Sequence, residues 1–303
     1  MFPTRSIAGN SPAHVSRYLT LPTALLMLVS ACSRDPSAPD RTVSRLPRIS
    51  ASTATGFALI SQLDSMSPQD VSFGRSLACA AGKRILGGGV ENANYGVVMQ
   101  ETHPQPAGDA WAYAVSRKTG GTTVTFTGWA VCADSSIAGY GLIARSDTMG
   151  PSAVSFGRSL VCPLRKVVLG GGVENANYGV VVQETSPKIT RDTWAYTVAR
   201  DTGGTSVAFT GRAICADSAV TGYVLVSRPD SMLPQAVTLG RSVPCPSGKR
   251  VFSGGVQNAN YGVVVQESHP NAAGDTWAYS VARATGGATV RFTGWAVCAA
   301  ATS

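Results

Sequence analysis

One hexapeptide returns twice at a fixed interval, and that interval constrains the chain more than any other property. Ser72-Phe73-Gly74-Arg75-Ser76-Leu77 recurs as Ser155-Phe156-Gly157-Arg158-Ser159-Leu160 and as Thr238-Leu239-Gly240-Arg241-Ser242-Val243, offset by 83 residues each time. No insertion or deletion interrupts the register. Gly56-Phe57, Gly139-Tyr140 and Gly222-Tyr223 correspond, so the copies run 57–139, 140–222 and 223–303. A period this regular means one structural unit used three times. The full chain of 303 residues has room for two or three ordinary domains.

The cysteines follow the same period. Setting Cys32 aside leaves Cys79 and Cys132, Cys162 and Cys215, and Cys245 and Cys298, each pair 53 residues apart. Six cysteines allow fifteen connectivities. The repeat favours the one that closes each copy on itself, against three pairs of buried free thiols. A loop of this length constrains the unfolded chain by roughly 4 kcal/mol in the entropic account.

Within a copy, turn signals divide the sequence into six short runs. In the first these are 57–62, 71–79, 83–90, 96–102, 110–117 and 122–132, broken by Ser-Met-Ser-Pro, Glu-Asn-Ala-Asn-Tyr and Thr-Gly-Gly segments. Alternating Thr, Val and Gly in such runs favour strands over helices. A hydrophobic share of 44% against 14% charged residues describes an ordered chain with buried cores. The expected fold is all-β: three tandem six-stranded antiparallel β-sandwich domains, each with one internal disulfide joining its second strand to its last. The alternative is a single threefold β prism with each copy as one wall.

Strand parity sorts the side chains. On the last run of copy one, Val124, Phe126, Ala130 and Cys132 share the inner face, leaving Trp129 outward among threonines. Its counterparts are Arg212 and Trp295. A site that takes either Trp or Arg faces solvent or a neighbouring domain, and both side chains offer a flat face for stacking. Trp111-Ala112-Tyr113, Trp194-Ala195-Tyr196 and Trp277-Ala278-Tyr279 are read as core, with Asp109, Asp192 and Asp275 organising the turns before them. Arg75, Arg158 and Arg241 fall on the inner parity and so need carboxylates; Glu101, Glu184 and Glu267 are the candidates.

The polar loop Glu91-Asn92-Ala93-Asn94-Tyr95 returns as Glu174-Asn175-Ala176-Asn177-Tyr178 and Gln257-Asn258-Ala259-Asn260-Tyr261. Asn and Gly explain a turn. Carboxylate, amides and phenol are also groups that hold sugar hydroxyls or a weak cation. The candidate ligand-binding set is therefore these loops, less their alanines, together with Trp129, Arg212 and Trp295. Gly87-Gly88-Gly89 lacks the Gly-Lys-Ser/Thr of a phosphate cradle and reads as a bulge or a close packing site.

No catalytic set recurs. The three histidines are His14, His103 and His269, and Ser186 stands at the middle copy's equivalent position. No zinc-type cluster and no Ser-His-Asp or Cys-His arrangement is visible, so neither enzyme activity nor a metal or other cofactor is expected. The net charge of +8, or +6 without Arg5 and Arg17, is scattered and carries no nucleic-acid motif.

The first 31 residues have the makeup of a signal peptide. Arg5 and Arg17 supply positive charge, and an apolar stretch from Leu19 to Ala31, too short to span a bilayer, ends in Val29-Ser30-Ala31-Cys32. These four residues resemble the lipobox of bacterial lipoproteins. That resemblance implies cleavage before Cys32, diacylglycerol on its sulfur and, with Ser33 following, sorting to the outer membrane. Residues 32–55, rich in Pro, Ser and Arg, read as the lipidated Cys and a flexible tether.

From first to second cysteine, each copy resembles a widespread class of bacterial secreted repeats without assigned activity. The resemblance rests on Cys-Pro-x-Gly-Lys-Arg-Val at Cys245, the Gly-Gly-Gly-Val run, the later Trp and a closing Trp-Ala-Val-Cys-Ala. Six strands with an aromatic in the last also resemble H-type lectin domains, which bind sugars; no motif residue of that family transfers. The functional expectation is a lipid-anchored envelope protein that recognises glycan or another surface polymer multivalently. The alternative is a spacer or envelope-assembly lipoprotein acting through protein contacts. Partners expected are the membrane, through the lipid, and a glycan or anionic polymer, with no nucleic acid.

Overall fold

A computed structural model describes residues 52–303. The expected signal peptide 1–31, Cys32 and the tether up to residue 51 lie outside the described residues. Among the described residues every regular element is a strand.

Copy one contributes β1 (Ala58–Met66), β2 (Ser72–Ala78), β3 (Lys83–Glu91), β4 (Val97–Pro104), β5 (Ala110–Arg117) and β6 (Val124–Asp134). Copy two repeats them as β7 (Gly141–Met149), β8 (Ser155–Val161), β9 (Lys166–Glu174), β10 (Val181–Pro187), β11 (Thr193–Ala199) and β12 (Val207–Asp217). Copy three gives β13 (Val224–Met232), β14 (Thr238–Pro244), β15 (Arg250–Gln257), β16 (Val263–Pro270), β17 (Thr276–Arg283) and β18 (Val290–Ala299).

Each copy is two three-stranded antiparallel layers. In copy one β6 lies between β1 and β3, and β5 lies between β2 and β4. Trp111 and Tyr113 on β5 fill the space between the layers. The Trp111 ring stands where a Cβ on Gly88 would be, and the Tyr113 ring where one on Gly128 would be. Both side chains are fully buried, as are Trp194, Tyr196, Trp277 and Tyr279 in the other copies. The indole N–H of each Trp donates to a hydroxyl on the neighbouring strand: Thr102, Thr185 and Ser268. Disulfides Cys79–Cys132, Cys162–Cys215 and Cys245–Cys298 join the end of each second strand to the last, tying one layer to the other. All-β class, antiparallel pairing, six strands per copy and one internal disulfide per copy are thus present.

The copies are not separate, however. The exposed edge of one layer pairs with an edge of the next copy, so each of the three six-stranded sheets holds three strands from each of two copies. The orders are β1-β6-β3-β16-β17-β14, β13-β18-β15-β10-β11-β8 and β2-β5-β4-β9-β12-β7. No single copy forms a whole wall. Each junction rests on one ladder pair: Ser268–Val90, Thr185–Val256 or Thr102–Val173. Unpaired edge strands invite association, and closing the ring covers two edges in every copy.

The triple-glycine runs make the closure fit. A Cβ on Gly87 would meet Phe252 O at 2.3 Å, and one on Gly170 would meet Leu86 O at 2.2 Å; Ser253, their counterpart, donates from Oγ to Leu169 O at 2.5 Å. These contacts run cyclically from copy to copy around a central axis. The third glycines, Gly89, Gly172 and Gly255, press on Ser268 O, Thr102 O and Thr185 O of the neighbouring copy. A bulge after Ile85 in copy one, with equivalents after Val168 and Val251, sets this approach.

Residues 52–55, the last of the expected tether, belong to the folded body. Ala54 is buried and Ser52 bridges to Val220, while Thr302 N donates to Ala54 O at 3.0 Å and Asp134 N to Thr55 O at 2.9 Å. Backbone partners on three sides explain why a Ser/Thr/Ala stretch without apolar periodicity is ordered here.

Candidate functional site

The recurring Asn loops lie at the seams between copies. Asn175 Nδ2 donates to Gln100 O at 3.2 Å and to Val180 O at 2.7 Å, and Gln100 Nε2 returns a bond to Asn175 O at 3.2 Å. Asn258 and Gln183 make the same exchange, as do Asn92 and Gln266. Each of these asparagines is buried. The second asparagine, Asn94, Asn177 or Asn260, donates to the first and to a carbonyl of the last strand: Thr125 O, Ala208 O or Arg291 O. Sequence reading found the loop but missed its partner, the Gln of each Gln-Glu-Thr/Ser.

Carboxylates at the seams are forced out of water. Glu101 Oε2 accepts from Asn175 N at 3.1 Å and Glu267 Oε2 from Asn92 N at 3.2 Å; burial raises both above the ordinary carboxylate value. Burial likewise depresses His103, whose Nδ1 lies 3.0 Å from Pro104 O. In copy two Glu184 is bonded instead by Lys188 Nζ at 2.7 Å.

The arginines assigned to those glutamates have other partners, which corrects the sequence reading. Arg75 lies 3.1 Å from Asp64, Arg158 3.7 Å from Asp147 and Arg241 3.7 Å from Asp230. The same aspartates accept the phenol protons of Tyr113, Tyr196 and Tyr279. Arg75 pairs across the ladder with Tyr113, but the three arginine side chains are 44–47% exposed and so do not face inward as the parity implied. These edge strands leave the guanidinium at the rim of the core, where the first strand supplies the acid.

Trp129, Arg212 and Trp295 also stand at the seams. Trp129 is half-buried, stacks on His269 of copy three at 6.2 Å between ring centroids, and donates to Glu91 Oε2 at 3.1 Å. Arg212 holds Glu174, and Trp295, only 7% exposed, donates to Gln257 Oε1 at 3.3 Å. Of the two surroundings expected for this face, solvent or a neighbouring copy, the neighbouring copy covers part of it. Glu91, Glu174 and Gln257 therefore serve as partners of the flat side chain in their own copy.

Three tyrosines remain, and the fold brings them together. Tyr95 donates to Arg283 O and Ala284 O, Tyr178 to Arg117 O and Lys118 O, and Tyr261 to Arg200 O and Asp201 O, each reaching across to another copy. Their rings stay exposed. Together they frame an open bowl of about 650 Å³ between the copies. Val98, Val181 and Val264 line it, as do Gly96, Gly179 and Gly262 at left-handed φ of 78–83°. Arg117, Arg200 and Arg283 also line the bowl, and each is largely buried. Their guanidiniums donate only to main-chain carbonyls, as Arg117 does to Asp70 O, Thr122 O and Ser67 O. Among the described residues none has a carboxylate at ion-pair distance. The charge symmetry of the lining breaks where Lys118 pairs with Asp201 and the third equivalent is Ala284.

The bowl lies at the end away from chain entry. β6 starts at Val124, which lines the bowl, and ends at Asp134, bonded to Thr55. At about 3.3 Å per residue these ends are roughly 35 Å apart. The chain matches no protein-family model and no curated protein.

Proposed function

We propose that the protein is an exported, lipid-anchored binding protein whose three copies jointly form one ligand site, the tyrosine-framed bowl, for a glycan or other surface polymer bearing acidic groups. The observation that carries this is the bowl itself. Its volume suits a ligand of a few sugar units. Exposed aromatic faces and valines offer apolar contact to sugar rings, while rim carbonyls and the Lys118–Asp201 pair offer polar contact. Three guanidinium charges with no carboxylate at ion-pair distance among the described residues favour an anionic ligand. Three disulfides are those of a chain that matures in an oxidising, extracytoplasmic environment. The lipid anchor rests on the Val29-Ser30-Ala31-Cys32 resemblance, and a tether at the opposite end would present the bowl outward.

A second reading, a spacer or assembly component without a small ligand, is favoured by one observation. Trp295 is buried and Trp129 is stacked within the ring, so these flat side chains already have partners. The two readings separate on glycan and cell-wall polymer arrays probed with the mature chain. Saturable binding, weakened at least about tenfold by Tyr178→Ala but not by Trp129→Ala, supports the bowl. Silence across the array from a folded, oxidised chain supports the spacer.

A further inference from the structure

Copy two differs from its sisters at the end of β8 and in two turns beside the chain's entry point. Val161 stands where the others have Ala78 and Pro244, Leu164 where they have Ala81 and Ser247, and Ile189 where they have Pro106 and Ala272. These side chains are 61%, 92% and 79% exposed. Apart from the bowl tyrosines, only Leu63 and Leu233 are comparable among the described residues, so most of the exposed apolar bulk is gathered here. Isolated exposed hydrophobics need no explanation, but a cluster does.

Two arginines accompany the cluster. Arg165 replaces Gly82 and Gly248, and Arg191 replaces Gly108 and Gly274. Their φ values of 65° and 71° are the only left-handed ones outside glycine among the described residues. Arg191 covers the Tyr223 ring at 4.7 Å, as Arg84 covers Tyr140 and Arg250 covers Phe57; Val167 occupies the corresponding place in copy two. Arg191 is thereby explained. Arg165 is exposed, and among the described residues its side chain has no hydrogen bond or ion pair. Strain kept for a side chain that does nothing in the fold points outward.

The two turns form one surface. Lys166 N closes the first on Pro163 O at 3.0 Å and Arg191 N the second on Lys188 O at 3.0 Å; Cys162 N donates to Asp192 O at 2.7 Å and joins them. Arg165 O accepts from Ser218 N at 2.9 Å. The same linker holds Ser52, which donates to Ala219 O and accepts from Thr221 N. The chain thus enters the body next to Leu164 and Arg165.

We propose that Val161, Leu164 and Ile189, flanked by Arg165, form a membrane-docking surface that seats the body on the bilayer holding the Cys32 acyl chains. This rests on the lipid-anchor part of the proposed function. A lipid surface is the occupant because the chain leading from Cys32 enters the body beside these turns, where Ser52 bonds the segment that also holds Arg165. Apolar side chains with an arginine beside them suit the headgroup boundary. Lys188 adds little charge, since Glu184 holds it. Only one copy of three carries the surface, so docking fixes which side of the ring faces the lipid.

The test uses the mature acylated chain in vesicles of about three parts phosphatidylethanolamine to one of phosphatidylglycerol, with quencher-labelled lipid. Thr190→Cys, Ala107→Cys and Ala273→Cys place one fluorophore at equivalent turns. Quenching at 190 about twofold or more above 107 and 273 is expected. Leu164→Ser with Arg165→Gly and Ile189→Ala should bring it level with the other two. Equal quenching at all three turns, with acylated Cys32 verified by mass, overturns the docking surface alone. A mature chain without the acyl mass overturns the anchor and the docking surface together.

Discussion

At the seams the three copies use the same groups: Gly89, Gly172 and Gly255 against a neighbour's carbonyl, and Asn92, Asn175 and Asn258 exchanging bonds with a neighbour's Gln. In the turns near the chain entry, equivalent positions hold Ala81, Leu164 and Ser247. Closure is a symmetric demand, because each copy meets the same backbone in the next. The entry-side turns have no such partner and are free to differ. Identity at these glycines and asparagines therefore marks contacts that close the ring, although closure also accepts Ser253 for Gly87 and Gly170, and Arg212 for Trp129 and Trp295.

Substitution at a seam should accordingly cost far more than the same change at a turn. A Cβ at Gly172 would sit 1.7 Å from Thr102 O. Gly172→Ala should lose about 3–5 kcal/mol or fail to fold, read by chemical denaturation. Gly82→Ala, whose Cβ meets nothing within 4 Å, should cost only its left-handed φ of 81°, about 1–2 kcal/mol. Equal losses would erase the contrast.

Asn175→Ala ranks next. It strands the carbonyls of Gln100 and Val180 and frees Asn177, for an expected loss of about 1–3 kcal/mol. Amide exchange should quicken at β4 and β9 while β14 and β17, away from that seam, stay protected. Arg165→Gly should go the other way, raising stability by about 1 kcal/mol as the left-handed strain is relieved.

The smallest effect is a pH dependence. Burial holds His103 below its ordinary value of 6.5, so the folded state favours the neutral ring. Its stabilising contribution is complete above about pH 6.5 and is lost as pH falls through the depressed value. Glu101, raised by burial, works in the opposite sense: its contribution is present at low pH and is lost as pH rises through the raised value. Denaturation curves of His103→Gln against the parent should therefore diverge on acidification, with the variant flatter; parallel curves would remove His103 from the balance.

Local order was legible because it is written at short range. Period-two alternation and turn residues placed all six strands of a copy, and the 53-residue spacing placed each disulfide. The Trp-Ala-Tyr core followed from the same alternation. The seams were not legible in this way: Gln100 and Asn175 are 75 residues apart, and nothing on either strand names the other. Parity turned Trp129 away from its own copy's core, toward solvent or a neighbour, but could not name His269, which arrives from another copy. The bowl was harder still, since Tyr95, Tyr178 and Tyr261 become one feature only when the ring closes.

Calorimetry of the oxidised mature chain tests that closure most directly. At about 0.7 kcal/mol per residue near 60 °C, residues 52–303 unfolding as one unit give roughly 175 kcal/mol. The closed ring predicts a single transition whose van't Hoff and calorimetric enthalpies agree near that value. A van't Hoff enthalpy about one third of the calorimetric one, the mark of three copies melting independently, would contradict it.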